Sequence, residues 1–252
     1  MFRFSLGDVP VGVHASFLVI AFFGPGRSLS DIAMWTGGVF VAVLAHEAGH
    51  AFTARAYGAH PVEIRLVVFG GVTTYPADTE LSAGRRFVIA AAGSLVGIVL
   101  GGAVALFRES PVFAFPQAGT APITLFADTF VLAALGWGIL NWVPIRPLDG
   151  GQMLTSGLQI LSPSRGAGIA RVISAVSGVV VAIVALRFGL TILAIFVMFI
   201  TVAGLRRAPD DSPTRGDGRD PPRHLSPRDS DPTTPGDDDQ GESGAPPPHF
   251  PI

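Results

Sequence analysis

The sequence predicts an all-α polytopic membrane protein with about six transmembrane helices and a small β-hairpin or sheet element at the cytoplasmic side. Three observations lead to this prediction. The chain of 252 residues is 49% hydrophobic and only 14% charged. Its mean hydropathy of +0.50 is far above that of soluble domains. Several of its apolar runs are long enough to cross a bilayer as helices.

Two short alternating stretches open the chain. Residues 2–6 and 9–13 flank Gly7-Asp8, and this pattern indicates a β-hairpin. The apolar run at residues 11–23 overlaps the second stretch and ends at Gly-Pro-Gly. Because no small-x-small cleavage site follows it, we interpret this run as a short first span and not as a signal peptide.

Longer apolar runs predict the other spans, at residues 32–54, 87–107, 123–143, 169–186 and 190–205. As a helix, the first of these reaches ~30 Å or slightly more, which is enough to cross a bilayer. The next contains Gly93, Gly97 and Gly101, whose spacing lets another helix approach closely. The last two runs are nearly contiguous, so we expect them to form a tight antiparallel pair.

The arginines indicate the orientation of the spans. Six spans place both termini on one side, and we assign that side to the cytoplasm. The arginines then inside are Arg3, Arg55, Arg65, Arg85, Arg86, Arg146, Arg165, Arg171, Arg206 and Arg207. The arginines then outside are Arg27, Arg108 and Arg187. The positive-inside rule therefore favours cytoplasmic termini in a multi-pass protein of the cell membrane.

The end of the chain differs in composition from the rest. Residues 206–252 hold ten of the 19 acidic residues and eleven of the 21 prolines, with few apolar residues. Such a segment does not bury enough apolar surface to offset its ordering entropy. We therefore predict a membrane-embedded domain at residues 1–205 and a disordered cytoplasmic tail at residues 206–252.

Two histidines and a glutamate interrupt the second apolar run in the sequence HEAGH. On a helix, His46 and His50 lie one turn apart on one face, where two imidazoles are able to share a metal ion. Glu47 lies about 60° to the side of His50, which is too far round for a natural ligand but close enough to reach a water on the metal. Ionisable residues inside an apolar span are functional by default. The pattern therefore indicates a metal site with Glu47 as general base.

The best candidate for a third ligand is Asp149, in the sequence PLDGG after the fourth run. A catalytic zinc site uses three protein ligands and one open position, and the chain has no cysteine. On the predicted topology the second and fourth runs both end at the inner side, so Asp149 reaches the depth of His46 and His50. A divalent ion also balances the charges of Glu47 and Asp149, which lowers the cost of burying them.

These motifs resemble those of the site-2 protease family of intramembrane zinc metalloproteases, over roughly residues 1–205. HEAGHAFTARAYGAHPVEIRLVVFGG is similar to the family's H-E-x-x-H helix and its strand and Gly-Gly segment. NWVPIRPLDGG is similar to the family's N-x-x-P-x-x-P-L-D-G-G. The resemblance implies one Zn²⁺ held by His46, His50 and Asp149, with Glu47 as the base. It also implies that Asn141 holds the substrate or the developing oxyanion.

The resemblance is to a minimal member of the family, since no stretch suggests an inserted PDZ domain or a CBS pair. The sequence departs from the family pattern at residues 90–97, AAAGSLVG, where many relatives read A-G-P-x-x-N. Here Ser94 replaces the proline and Gly97 replaces the asparagine, so no role of that asparagine is carried over. Arg146 also lies between two prolines where an uncharged residue is common.

We therefore expect a zinc metalloendopeptidase that cleaves transmembrane segments of other membrane proteins. Two other classes stay open. One is a membrane metal transporter, although a conducting path needs several ligand sets and this chain shows one compact set. The other is a proteolytically inactive homologue that binds membrane proteins. A nucleic-acid partner is not expected at a formal net charge of −2.

Two further segments have more than one interpretation. Residues 62–71 form either a strand edge that pairs with an unwound substrate segment or an ordinary connecting hairpin, and the pattern fits both. Asp128 lies in an apolar span but near its outer end, so we interpret it as reaching the interface and not as a catalytic residue.

Overall fold

The computed structural model describes residues 1–25, 28–68, 70–76, 79–109 and 122–206, which are mostly helical with a small four-stranded sheet. In chain order the elements are β1 (Phe2–Leu6), β2 (Val9–Val13), a 3₁₀-helix (Ala15–Phe23), α1 (Leu29–Ala56), β3 (Glu63–Val67), β4 (Gly70–Thr74), α2 (Ala83–Glu109), α3 (Pro122–Leu140), α4 (Asp149–Leu161), α5 (Gly166–Arg187) and α6 (Thr191–Arg206). The predicted disordered tail, apart from its first residue, lies outside the described residues.

Among the residues that the structure describes, four helices are long and apolar enough to cross a membrane, namely α1, α2, α3 and α5. They correspond to the predicted spans at residues 32–54, 87–107, 123–143 and 169–186. The run at residues 190–205 forms α6, which is apolar but only 16 residues long. The six predicted spans are therefore not confirmed as a set, although the membrane class is.

The predicted first span differs most from the structure. Its first residues belong to β2, and the remainder forms a 3₁₀-helix of nine residues. At ~2.0 Å per residue this helix covers about 18 Å, short of the ~30 Å hydrocarbon core. The run does not form one helix, because its first part, residues 11–13, pairs with β3 in the sheet.

The central helix α1 has clear signals at both ends. The Ser28 side chain accepts a hydrogen bond from the Asp31 backbone N–H at 3.1 Å, which satisfies one of the free donors of the first turn. Asp31 in the first turn and Arg55 in the last turn complement the helix dipole. The helix ends at Ala56, and Gly58 then adopts a positive φ of 91°.

The sheet joins two hairpins that are distant in the sequence. The predicted hairpin of β1 and β2 is confirmed, with Phe2 opposite Val13 and a turn at Gly7, whose φ is 61°. Strand β2 pairs in parallel with β3, and β3 pairs with β4 in antiparallel orientation. The order is β1-β2-β3-β4, so β4 lies at one edge. Buried Ile64 and Leu66 belong to a core cluster that includes residues of α1.

The glycines of α2 let two helices approach closely, as predicted. A Cβ at Gly97 would lie 3.1 Å from the carbonyl oxygen of Ala134 in α3, and one at Gly101 would lie 3.0 Å from the Ala134 side chain. Gly93 faces α1 instead. A side chain at position 97 would therefore push α2 and α3 slightly apart.

The polar residue Asp128 of α3 forms an ion pair with Arg108 of α2. This ion pair joins the two helices near the C-terminal end of α2. Asp128 is therefore partnered by a cation from a neighbouring helix, and its charge is balanced within the protein.

The last part of the chain contains one helix that the sequence did not predict and one predicted pair. The unpredicted helix is α4, whose 13 residues separate the predicted fourth and fifth spans. Helices α5 and α6 form the expected pair, joined by a turn in which Gly189 has a φ of 73°. A Cβ at Gly178 of α5 would collide with the Thr201 side chain of α6, so these helices also pack closely.

Candidate metal centre

Three donor side chains that are far apart in the sequence meet at one point. His46 and His50 lie in α1, and Asp149 is the first residue of α4. The two Nε2 atoms are 3.2 Å apart. Asp149 Oδ2 lies 3.1 Å from His46 Nε2 and 3.3 Å from His50 Nε2. All three side chains are buried. The structure thus brings together the three ligands predicted from the sequence.

The geometry of this triad fits a zinc ion. Ligand atoms at ~2.0–2.1 Å from a tetrahedral ion lie ~3.3 Å from one another, and the three observed separations are 3.1 to 3.3 Å. Two imidazoles and one carboxylate are also a donor set of catalytic zinc sites. Among the residues that the structure describes, this is the one group of three or more such side chains able to hold a metal ion.

The orientation of His50 is fixed by α2. Its Nδ1 lies 2.7 Å from the backbone carbonyl oxygen of Ile89. Because that carbonyl only accepts, Nδ1 carries the proton and the lone pair of Nε2 points into the triad. The ring also packs on the backbone of α2, since a Cβ at Gly93 would lie 2.5 Å from His50 Cε1. A glycine at position 93 is therefore required for this placement.

Two glycines place Asp149. Gly150 donates its backbone N–H to the carbonyl oxygen of Asn141 at 2.5 Å, so the segment after α3 folds back on itself. A Cβ at Gly150 would lie 2.5 Å from the Trp142 carbonyl carbon, and one at Gly151 would lie 2.5 Å from the Arg146 nitrogen. The sequence PLDGG thus lets α4 start against the end of α3, with Asp149 at its first position.

The Asp149 carboxylate has a further partner on α2. Ser94 Oγ donates a hydrogen bond to Asp149 Oδ2 at 3.0 Å. Ser94 is fully buried. The same oxygen faces both imidazoles, so the hydroxyl and the two rings converge on one carboxylate atom.

Glu47 lies beside the triad and is not part of the ligand group. It is buried, and Thr73 Oγ1 of β4 donates to its Oε2 at 2.8 Å. A Cβ at Gly71 would lie 2.6 Å from Glu47 Cδ, so the backbone of β4 rests on this side chain. The edge strand of the sheet is therefore in direct contact with the candidate general base.

Asn141 follows the last residue of α3 and is buried. Its backbone carbonyl accepts a hydrogen bond from the N–H of Gly150, the residue after Asp149. The end of α3 is therefore linked directly to the start of α4, where the third ligand lies. A contact of the Asn141 side chain with substrate stays a prediction.

Three contacts of the site were missed by the sequence reasoning: those of Thr73, Ile89 and Ser94. In the sequence, Ser94 stands out only as a departure from the family pattern. A backbone carbonyl such as that of Ile89 leaves no signal in the sequence. The position of Thr73 depends on how β4 packs against α1, and no local pattern shows that packing.

The curated proteins similar to this chain are named as zinc metalloproteases. A zinc metalloprotease of Methanocaldococcus jannaschii is 29% identical over 206 residues, which cover 79% of this chain and 56% of the relative. A putative zinc metalloprotease of Synechocystis sp. is 29% identical over 181 residues, covering 66% and 46%. A putative zinc metalloprotease of Mycobacterium tuberculosis is 28% identical over 198 residues, covering 75% and 45%. The chain thus spans about half the length of these relatives. No protein-family model matches it.

Among solved structures, the fold is similar to that of a site-2 protease from Methanocaldococcus jannaschii. The TM-score is 0.57 at 26% sequence identity, and the match covers 82% of this chain and 96% of that chain. The named relatives and this structure together support the assignment of the chain to the site-2 protease family.

Proposed function

We propose that the chain is a zinc-dependent intramembrane endopeptidase that cleaves transmembrane segments of other membrane proteins. The names of the relatives support a protease. The observation that carries the finer proposal is the buried triad of His46, His50 and Asp149 with Glu47 beside it, all among apolar helices. A peptide bond that binds at this triad is therefore hydrolysed between helices that are apolar enough to span a membrane.

His46, His50 and Asp149 are the proposed ligands of one Zn²⁺ per chain. When bound in such a site, zinc polarises a peptide carbonyl and makes water more acidic. The Ile89 carbonyl keeps the His50 lone pair directed into the site. A bound Zn²⁺ would offset the negative charges of Glu47 and Asp149. Two unbalanced carboxylates are costly to bury among apolar helices, whereas the site with its ion would be close to neutral.

Glu47 is the proposed general base. Its carboxylate accepts a proton from the attacking water and passes it to the leaving amine. The hydrogen bond from Thr73 occupies Oε2, which holds the carboxylate in one orientation and leaves Oε1 for the proton. Asn141 is proposed to donate to the oxyanion that develops on the substrate carbonyl.

Strand β4 is the proposed pairing edge for the substrate. A transmembrane helix hides its carbonyls in hydrogen bonds, so it must unwind locally before attack. β4 lies at the edge of the sheet and touches Glu47 through Gly71 and Thr73. An unwound segment that pairs with β4 is therefore placed next to the base.

We also propose that the site opens to the cytoplasm of the cell, with both termini on that side. The support is the distribution of arginines at the helix ends. Arg55 and Arg206 lie in the last turns of α1 and α6, on the proposed inner side. Arg108 and Arg187 lie in the last turns of α2 and α5, on the proposed outer side. The many arginines in the short connections favour the inner assignment of α1 and α6.

The test uses Glu47→Gln in the full chain, purified in detergent and reconstituted with a panel of single-span membrane proteins. We expect loss of cleavage with one zinc per chain retained, because the change removes the base and no ligand. Glu80→Gln is the matched control, since Glu80 is an exposed glutamate outside the helices. Cleavage and zinc content are measured on the same samples.

Two results would contradict the proposal. Loss of zinc in Glu47→Gln would make Glu47 a ligand. Cleavage by Glu47→Gln at the wild-type rate would remove Glu47 from the reaction.

A further inference from the structure

Helix α2 supplies no ligand, yet it contacts two of the three candidate ligands. The Ile89 carbonyl accepts from His50, and the Gly93 backbone supports the His50 ring. One residue further along, Ser94 donates to Asp149. At about 100° per residue, Gly93 lies about 40° round the helix from Ile89 and Ser94 about 100° further, so α2 turns a broad face towards the triad. This face links α1 to α4.

Ser94 is the residue of this face whose side chain acts on a ligand. Its exposed fraction is 0%, and its hydroxyl donates to Asp149 Oδ2 at 3.0 Å. An ionised carboxylate only accepts, so the direction of this hydrogen bond is fixed. The hydroxyl has a single proton, which is committed to Asp149. The backbone of Ser94 is held as well, since a Cβ at Gly138 of α3 would lie 3.1 Å from its carbonyl oxygen.

We propose that Ser94 is a positioning residue for the metal, which holds the Asp149 carboxylate in the orientation that binds zinc. This inference rests on the proposed function. The carboxylate oxygen that faces both imidazoles has a second lone pair, and Ser94 occupies it. The oxygen is therefore fixed before an ion binds.

Removal of the hydroxyl has a predictable effect. Without Ser94 Oγ the carboxylate rotates more freely, and a buried acceptor loses its donor. Loss of an outer partner of a metal ligand typically lowers metal affinity by ~10–100-fold. We expect a loss in this range for Ser94→Ala, which removes one oxygen atom and adds no volume.

The experiment measures the zinc dissociation constant of the full-length protein by competition with a chromophoric chelator. The variants are Ser94→Ala, Ser94→Gly and the control Ser174→Ala. Ser174 is a buried serine of α5, and its Oγ has no hydrogen-bond partner among the described residues. Both Ser94 variants should lose zinc affinity, and the control should not. The metal-free form of each variant should still melt in one cooperative transition, which shows that the lost zinc affinity does not come from unfolding.

A double variant separates positioning from general damage. In the Asp149→Ala background, Ser94→Ala should cause no further loss of zinc affinity, because its acceptor is gone. An equal loss in both backgrounds would overturn the inference. Wild-type affinity in Ser94→Ala and Ser94→Gly would also overturn it and leave the proposed function standing. A wild-type protein that binds no zinc would instead reject the proposed function, and the inference with it.

Discussion

Gly93→Ala is expected to abolish zinc binding although it adds one methyl group at a position that is not a ligand. Gly93 lies on α2 directly against the His50 ring. The added Cβ would lie 2.5 Å from His50 Cε1 and 2.6 Å from Cδ2. Neither the methyl group nor the ring moves away easily. The Cβ is bonded directly to the backbone of α2, and the ring is held by the hydrogen bond from Nδ1 to the Ile89 carbonyl oxygen at 2.7 Å.

The size of the effect follows from these distances. An ordinary van der Waals contact begins at 3.4 Å, so the ring and the helix must separate by at least about 0.9 Å at Cε1, and by more at Nε2, which is the nearest ring atom. Metal sites tolerate deviations of about 0.2 Å in ligand distance. The shift therefore removes His50 from the site, and a loss of zinc affinity beyond the ~100-fold typical of an outer partner is expected.

The assay compares Gly93→Ala with Gly102→Ala in the same helix, where an added Cβ meets nothing within 4 Å. Both changes replace a glycine in α2 and gain helix propensity of roughly 0.5–1 kcal/mol. Gly102→Ala should therefore keep wild-type zinc affinity and melt at the same or a higher temperature. Zinc affinity is measured by chelator competition and folding by the melting curve of the metal-free protein. Wild-type zinc affinity in Gly93→Ala would refute the packing of α2 on His50.

Three further predictions concern the ligand, the base and the orientation. Asp149→Ala should lower zinc affinity sharply and abolish cleavage, whereas Asp128→Ala, at the ion pair with Arg108, should keep wild-type zinc affinity. Wild-type affinity in Asp149→Ala would place the third ligand elsewhere. Thr73→Val should lower the cleavage rate ~10-fold or more without changing zinc content, because Glu47 loses a charged hydrogen bond worth ~1.5–3 kcal/mol. Thr74→Val is the control at the neighbouring residue. An equal effect of both changes would show that disturbance of the strand, and not the contact with Glu47, lowers the rate. The chain has no cysteine, so single cysteines can be introduced at the exposed positions Ala56, Ser164 and Thr191. A thiol reagent should label the cysteines at positions 56 and 164 from the cytoplasmic side and the cysteine at position 191 from outside the cell. The reverse pattern in intact cells would reject the orientation.

The parts of the site that were predictable are those encoded by local spacing. His46 and His50 share a face of α1 because four residues make about one turn, and the apolar run around them made a helix the expected structure. Asp149 was predicted by elimination and depth, and the structure brings it to both histidines. The hairpin of β1 and β2 was likewise visible from alternation around Gly7.

The parts that were not predictable depend on packing between distant segments. The run at residues 11–23 was read as one span because hydropathy does not show that Val11 pairs with Ile64 of β3. Helix α4 was missed because its 13 residues are amphipathic and lie between apolar runs. The contacts of Thr73 with Glu47 and of Ser94 with Asp149 join residues 26 and 55 positions apart. Such contacts are set by helix and strand packing, which no local pattern encodes.

The most direct measurement is X-ray absorption at the zinc edge of the purified, zinc-loaded protein. We predict one zinc per chain with two imidazole ligands from His46 and His50 and one carboxylate oxygen from Asp149, at ~2.0–2.2 Å. In Asp149→Ala the two imidazoles should remain in any residual signal and the carboxylate contribution should disappear. A spectrum with no imidazole scattering, or one unchanged by Asp149→Ala, would contradict the assignment of these three side chains as the metal centre.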